Sequence, residues 1–395
     1  MRSASRLVPT RWRTGLAAIV LLAAVSRIGL LLVGELWLIS PFEDQLPLGP
    51  YVEPGSGQLE RLGLSDPVLY RSIMETGYER RPFSDDRQAN WAFLPAWPLL
   101  WRATSTLLPA DSASVLLNVV LFSIGCGLVF LLLQAYVGTK AASLAVAMLI
   151  VMPGAQFTVR PGPESLFLAA SAATLLLAEW RHWWLVAPFV TIATLTRPQG
   201  VLLALPLAMM AASQWWRHNG TGVPMLPVGV ALLAPVAAVT AFCFYLGRLT
   251  GNPFATFDIQ RAWDNETTLP GLAVLRSTRT LVLDQTLEDY YGFNLIPLSL
   301  TAIGLGLALL LVGIRRRVLP PALLAYTGMS LLLLLTRSQT QAALRYLLML
   351  FPLYGIAAAE GGNGRLVRLV LMPTLLVLQV AVYLAGLQGA EWALT

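Results

Sequence analysis

Four short groups of residues in this chain have the types and spacing to do chemistry together. The first is Ser65-Asp66-Pro67-Val68-Leu69-Tyr70, which runs on through Gly77-Tyr78 to Asp85 and Asp86. The second is Arg160-Pro161-Gly162-Pro163-Glu164, and the third is Thr196-Arg197-Pro198-Gln199-Gly200. The fourth is Arg337-Ser338-Gln339, followed by Leu344-Arg345-Tyr346 and Phe351-Pro352. A carboxylate that takes the proton of a hydroxyl makes it a better nucleophile, and a positioned base of this kind contributes about 10²–10⁴-fold. Arginines hold a phosphate through paired hydrogen bonds and stabilise the charge that grows on it as it leaves. One or more carboxylates with several arginines therefore suit a negatively charged lipid headgroup, and a glycosyl group carried on a lipid phosphate needs both functions.

Each group also has a plainer reading. Asp66 precedes Pro67 and would cap a short helix with proline in its first turn. Asp85-Asp86 reads as a solvated loop pair. Glu164 would favour the positive end of its helix. Arg197 and Arg345 would anchor helix ends by reaching to the interface. Arg27 stands apart: at mid-span an arginine costs at least about 2.5–3.5 kcal/mol, so it should face the protein interior or a wet cavity. Its role, structural or substrate-directed, is left open by the sequence.

The elements that must position these residues are apolar. The 395 residues are 56% hydrophobic and only 12% charged, against roughly 25% charged in ordinary soluble domains. The apolar runs are continuous, which excludes a lipid-facing barrel with alternating strands, and many approach the ~20 residues a helix needs to cross a bilayer. The reading is an all-α polytopic membrane protein of about eleven transmembrane helices, near 15–39, 113–136, 140–153, 164–179, 182–195, 198–213, 226–249, 293–314, 318–335, 342–359 and 366–388. The first is too long for a signal peptide and lacks a clear cleavage site. One membrane domain, 1–395, accounts for the chain. It carries two long outer loops, 40–112 and 250–292, and short interfacial helices are expected within them, near 67–76 and 91–108.

Arginine in the short loops sets the orientation. The N-terminal arginines, Lys140, Arg181, Arg217, Arg315-Arg316-Arg317, Arg365 and Arg368 fall on one side with two acids, Glu179 and Glu360. That side is expected to be cytoplasmic, and all four groups then lie on the other. The histidines, His182 and His218, fall on the cytoplasmic side, and no metal-ligand spacing is visible. Cys126 and Cys243 lie in separate apolar spans and read as inert core thiols. Trp183-Trp184 and Trp215-Trp216 read as interface belts. Asn265-Glu266-Thr267 is a glycosylation sequon that matters only in a secretory compartment that glycosylates. One lysine against 26 arginines associates with a GC-rich bacterial genome.

The order of these motifs resembles the PIG-V family, the second mannosyltransferases of GPI-anchor synthesis, and its bacterial branch, within the GT-C class of membrane glycosyltransferases. Ser65-Asp66, Tyr70, Gly77-Tyr78 and Phe93-Leu94-Pro95 with Pro98 stand where that family has Trp-Asp, Tyr, Gly-Tyr and Phe-Phe-Pro…Pro. Pro163-Glu164-Ser165-Leu166-Phe167 resembles its helix start, and Thr196 to Gly200 its Thr-Arg-Pro-x-Gly element. Gly251-Asn252-Pro253, Phe257, Gln260 and Trp263 are similar to a further element, and Arg345-Tyr346 with Phe351-Pro352-Leu353 to a last one. The matches run in order to about residue 354. Ser65 replaces the usual tryptophan and Pro163 a hydroxyl residue, changes that would reshape the sugar pocket.

The resemblance implies a GT-C-like fold and a polyprenyl-phosphate-linked donor, mannose or a related hexose. It implies single-displacement inversion at the extracytoplasmic face of a bacterial plasma membrane, a glycolipid or glycan acceptor, and no obligatory cofactor or metal. Asp66 would be the base, and Arg197, Arg345 and Arg337 would bind the donor phosphate. Tyr70, Tyr78, Glu164, Gln260 and Trp263 would line the substrates. Two other readings stand beside it. A lipid or solute transporter should carry ionisable residues at mid-membrane depth and duplicated halves; only Arg27 is clearly mid-span and no repeat is visible. A non-catalytic subunit could keep the fold without the activity.

Overall fold

The structure is a computed structural model that describes residues 10–41, 48–49, 51–217, 224–263, 265–279, 295–338, 340, 342–361, 364 and 367–389. Arg2, Arg6, His218, Gln339, Arg365 and the end of the second outer loop, 280–292, lie outside the described residues. Among those described, the chain is helical, with one isolated backbone bridge, between Thr267 and Arg337.

It opens with α1 (Thr10–Leu38). The first outer loop carries α2 (Gln58–Leu62), α3 (Asp66–Thr76) and α4 (Ala96–Thr104). α5 (Ala110–Val151) follows, then a 3-10 segment, Pro153–Val159. α6 (Glu164–Glu179) and α7 (Trp183–Thr196) lead to a second 3-10 turn, Pro198–Leu203, and α8 (Ala204–Arg217). α9 (Met225–Thr250) precedes the second outer loop, with α10 (Ala255–Asp258) and α11 (Leu272–Arg279). The chain then forms α12 (Leu295–Arg316), α13 (Pro321–Leu335), α14 (Ala343–Leu348), α15 (Phe351–Glu360) and α16 (Met372–Leu387).

Five helices are long and apolar enough to cross a bilayer: Gly15–Leu38, Ala110–Val151, Met225–Thr250, Ile296–Arg316 and Val367–Leu387. Trp183–Thr196 and Pro321–Leu335 are apolar but shorter. The outward faces are themselves apolar: Leu21, Leu22, Val25, Ile28, Leu32 and Leu36 of α1 are all exposed, a distribution that water would penalise and lipid does not. The chain is thus an all-α polytopic membrane protein.

The structure keeps some expected spans and redraws others. Those at 113–136 and 140–153 are both present, as two helices that meet at Gly138 (φ 78°, ψ 165°) within α5, at the break the sequence expects. The span at 342–359 is two short helices, α14 and α15, broken at Met349-Leu350. The span at 198–213 begins as a 3-10 turn, Pro198–Leu203, with proline in its first position.

α5 is the central pillar. It packs on α1, α6 and α15, while α7 packs on α6 and α9. Their buried apolar faces merge into one core from Ile19 to Val382. Arg27 sits inside it, fully buried, with no carboxylate among its hydrogen-bond partners. Its Nη1 donates to the Ala155 carbonyl (2.5 Å) and the Thr158 hydroxyl (3.2 Å), and its Nη2 to the Ile150 carbonyl (2.8 Å) and Gln379 Oε1 (3.1 Å). Gln379 Nε2 in turn donates to the carbonyls of Ile150 and Met152. The guanidinium therefore caps the carbonyl end of α5, where a cation is favoured. This answers the question the sequence leaves open: Arg27 serves structure, and through Ala155 and Thr158 it holds the 3-10 segment that leads to the candidate site.

Candidate active site

Asp66 opens the first turn of α3, and the cap position belongs to Ser65, which makes no side-chain cap hydrogen bond. The plain reading of Asp66 as a helix cap is thus corrected. α3 is fixed from behind by the rest of the first outer loop. Arg102 donates to the carbonyls of Ile73 and Met74 at the end of α3. Asn90 Nδ2 donates to Ser72 Oγ (3.0 Å) and the Gly77 carbonyl (3.1 Å). Arg71 pairs with Asp111 at the start of α5. Asp66, left at the free end, turns its Oδ2 to Arg345 Nη1 at 2.9 Å, across 279 residues of sequence.

Arg345 lies on α14, and the 3-10 segment Pro153–Val159 passes directly against it. Gly154 makes this approach feasible, since a Cβ there would overlap the Leu344 carbonyl. The Arg345 guanidinium lies over the Phe157 ring, 5.5 Å from its centroid. Its Nε hydrogen-bonds to no protein atom and is 3.6 Å from Glu164 Oε1.

Glu164 is the first residue of α6 and follows Pro163. Its Oε1 accepts from Arg197 Nη1 at 2.6 Å, with both side chains almost fully buried (3% and 6% exposed). Neither is a surface anchor, so the snorkelling reading of Arg197 is corrected. Arg197 is held at the end of α7 in extended backbone, as the residue before a proline should be. The chain then folds back so tightly that a Cβ on Gly200 would strike the Thr194 backbone. The Arg197 and Arg337 guanidinium carbons both lie over the Tyr346 ring, at 4.8 Å and 5.3 Å from its centroid, within cation–π range.

Asp66, Arg345, Glu164 and Arg197 thus form one chain of alternating charge with no net charge. It borders a cleft of ≈ 260 Å³ lined by Asp66, Pro67, Tyr70, Phe157, Arg160, Pro161, Gly162, Pro163, Glu164 and Arg345. Arg160 is buried, its carbonyl accepting from Asn118 Nδ2. Burial lowers its pKa to about 10, which still leaves it cationic at neutral pH. Tyr70 is buried too; its burial, and then the nearby charges of Glu164 and Asp66, push its phenol well above the ordinary tyrosine value. It is therefore a neutral hydroxyl at the edge of the cleft.

The remaining expected residues are dispersed. Tyr78 donates to the Phe93 carbonyl (2.7 Å) and packs on Phe242 and Tyr245, away from the cleft lining. Gln260 accepts from Asn265 within its own loop (2.8 Å). Trp263 is edge-on to Phe93, which is edge-on to Tyr70. Asp85 lies 3.9 Å from Arg261 on the surface, and Asp86 accepts from Ser84, the solvated pair expected of them. Phe157 has no counterpart in the sequence reading, because nothing in an apolar 3-10 segment marks it. Arg160 sits in a group already singled out but carried no role there; its spacing of four from Glu164 was the available signal. Among the described residues, no three His, Cys, Asp or Glu side chains gather where they could hold a metal.

No family model matches the sequence, and no curated protein does. Solved structures do match by shape. One is ArnT from Cupriavidus metallidurans bound to undecaprenyl phosphate, with 14% identity and a TM-score of 0.50, covering 98% of this chain and 77% of that one. Another is the oligosaccharyltransferase of Archaeoglobus fulgidus tethered to an acceptor peptide, with 11% identity and a TM-score of 0.48, covering 95% of this chain. The chain spans 55% of the length of that oligosaccharyltransferase. The fold is GT-C-like, the one shared with the ArnT structure.

Proposed function

We propose that this protein is a PIG-V-like glycosyltransferase. It moves a mannosyl or related hexosyl group from a polyprenyl-phosphate-linked donor to a glycolipid or glycan acceptor, at the extracytoplasmic face of a bacterial plasma membrane. The observation that carries the proposal is the 2.9 Å contact between Asp66 and Arg345 at a cleft that Glu164 also lines, with Arg197 buried behind Glu164. A base and a phosphate-binding cation are thus neighbours although 279 residues separate them. The GT-C-like fold supports the reaction class, and the undecaprenyl phosphate held by the ArnT structure supports the donor class.

In this reading Asp66 takes the proton of the acceptor hydroxyl. The hydroxyl oxygen forms the new bond to the anomeric carbon from the face opposite the phosphate. The anomeric carbon–oxygen bond to the phosphate breaks, and its electron pair leaves on the phosphate, so configuration inverts. Arg345, which lines the cleft with Arg160, stabilises that departing charge directly, and Arg197 and Arg337, behind it over Tyr346, add positive potential. No metal is needed for these steps.

The test is transfer of radiolabel from polyprenyl-phosphate-mannose to a membrane glycolipid extract by the purified protein in lipid. Wild type should transfer label, equally with and without EDTA, and a folded Asp66→Asn variant should lose at least about 10²-fold. Equal transfer by both would move the base elsewhere. No use of the donor by wild type would overturn the enzyme reading.

A further inference from the structure

The base and the donor-binding arginine are bonded to each other, Arg345 Nη1 donating to Asp66 Oδ2. The bond makes the carboxylate a weaker base and engages one edge of the guanidinium, so a phosphate on Arg345 competes with Asp66 for it. Two carboxylates, Asp66 and Glu164, also line a cleft that must admit an anion. They differ in how firmly they are held. Glu164 is 3% exposed and locked to Arg197 at 2.6 Å. Asp66 is 24% exposed and stands at the free end of its helix. Arg345 keeps its Nε without a hydrogen-bond partner at the cleft, and Arg160 is the second cation in the lining.

We propose that a phosphate enters by exchange: it seats on Arg160 and Arg345 by displacing the Asp66 carboxylate from Arg345. This rests on the proposed lipid-phosphate donor and deepens it. Donor binding and release of the base are then one event. An acceptor hydroxyl meets a free carboxylate only when a donor is already bound, which orders the substrates. After transfer, Asp66 passes the proton it took to water or to the departing phosphate, and the carboxylate so regenerated competes for Arg345 again and helps expel the spent lipid phosphate. Exchange keeps the Arg345 guanidinium paired throughout, while the released Asp66 carboxylate, 24% exposed, can turn to water or to the acceptor hydroxyl.

The exchange makes an unusual demand of Asp66: removing its charge should tighten binding of the leaving group while abolishing transfer. The probe is undecaprenyl phosphate, titrated into the full-length protein in detergent or nanodiscs. Asp66→Asn should bind it about twofold to fivefold more tightly than wild type, since a competing ion pair of this exposure is lost. Arg345→Gln should bind weakly, and the Asp66→Asn gain should vanish in the double variant. If the asparagine variant melts well below wild type, Asp66→Ala serves the same comparison. Unchanged or weaker binding by the Asp66 variants, with wild type binding normally, overturns the exchange and leaves the transferase reading intact. No saturable binding by wild type overturns the lipid-phosphate reading itself.

Discussion

At the residue scale, Glu164 and Arg197 are the pair on which the site most depends. Both are almost completely removed from solvent, so each is a large liability without the other. Breaking a buried pair by neutralising one partner typically costs about 3–5 kcal/mol, because the survivor stays charged and uncompensated. Glu164→Gln should therefore lower the melting temperature of the purified protein markedly, whereas Asp66→Asn, at a partly exposed position, should lower it little. Thermal unfolding of the two variants in the same detergent checks this; equal melting temperatures would mean that Arg197 finds another partner. Sequence gave both residues as candidates but not their pairing, since 33 positions separate them and no local pattern links them. Tyr78 shows the reverse failure. Its motif position suggested substrate, yet its hydroxyl is used on the Phe93 carbonyl and its ring on Phe242. A conserved-looking dipeptide cannot reveal which way its side chain faces.

At the scale of elements, the 3-10 segment Pro153–Val159 links the membrane core to the chemistry. It presents Phe157 beneath Arg345 and leads into Arg160 and Glu164. Arg27 and Gln379 hold its start through the carbonyls of Ala155 and Met152, and both also bind the Ile150 carbonyl. Arg27→Met and Gln379→Leu should each loosen it, seen as faster amide hydrogen exchange over 153–160. The double variant should cost less than the sum, because the two side chains bond each other and share a carbonyl. Strictly additive effects would show that they act independently. Hydropathy found α1, α9 and α12 readily because they are long and apolar. It also located the division of α5, where Gly138-Thr139-Lys140 interrupts the apolar run, but not the break between α14 and α15, which is made by backbone geometry at Met349-Leu350.

At the scale of the whole molecule, the arginine distribution expects Ser84 outside and Lys140 inside. Ser84→Cys in intact cells should react with a membrane-impermeant maleimide, and Lys140→Cys should react only after permeabilisation. The native thiols of Cys126 and Cys243 are buried and should stay silent in both experiments. The opposite labelling would invert the topology and remove the site from the extracytoplasmic face. The segment 266–271 is also joined to the end of α13 across the chain. Thr268 N–H donates to the Thr336 carbonyl (2.6 Å), Gly271 N–H to that of Leu335 (2.9 Å), and Ser338 N–H to that of Glu266 (3.0 Å). The second outer loop is thereby fastened beside Arg337, a long-range link that no local motif announces.

The Arg27 cluster has a consequence for how the protein is made. Chains leave the ribosome from the N-terminus at about 5–20 residues per second, and Arg27 precedes Gln379 by 352 residues. The first helix therefore enters the bilayer carrying a cation whose partners on α5 and α16 have yet to be synthesised. Until then the nascent helix must stay near the translocon, the lipid headgroups or water. Completion of the last helix is what closes the shell around that charge, so a ribosome stalled before α16 should release a chain that quality control can recognise by its unsheltered arginine.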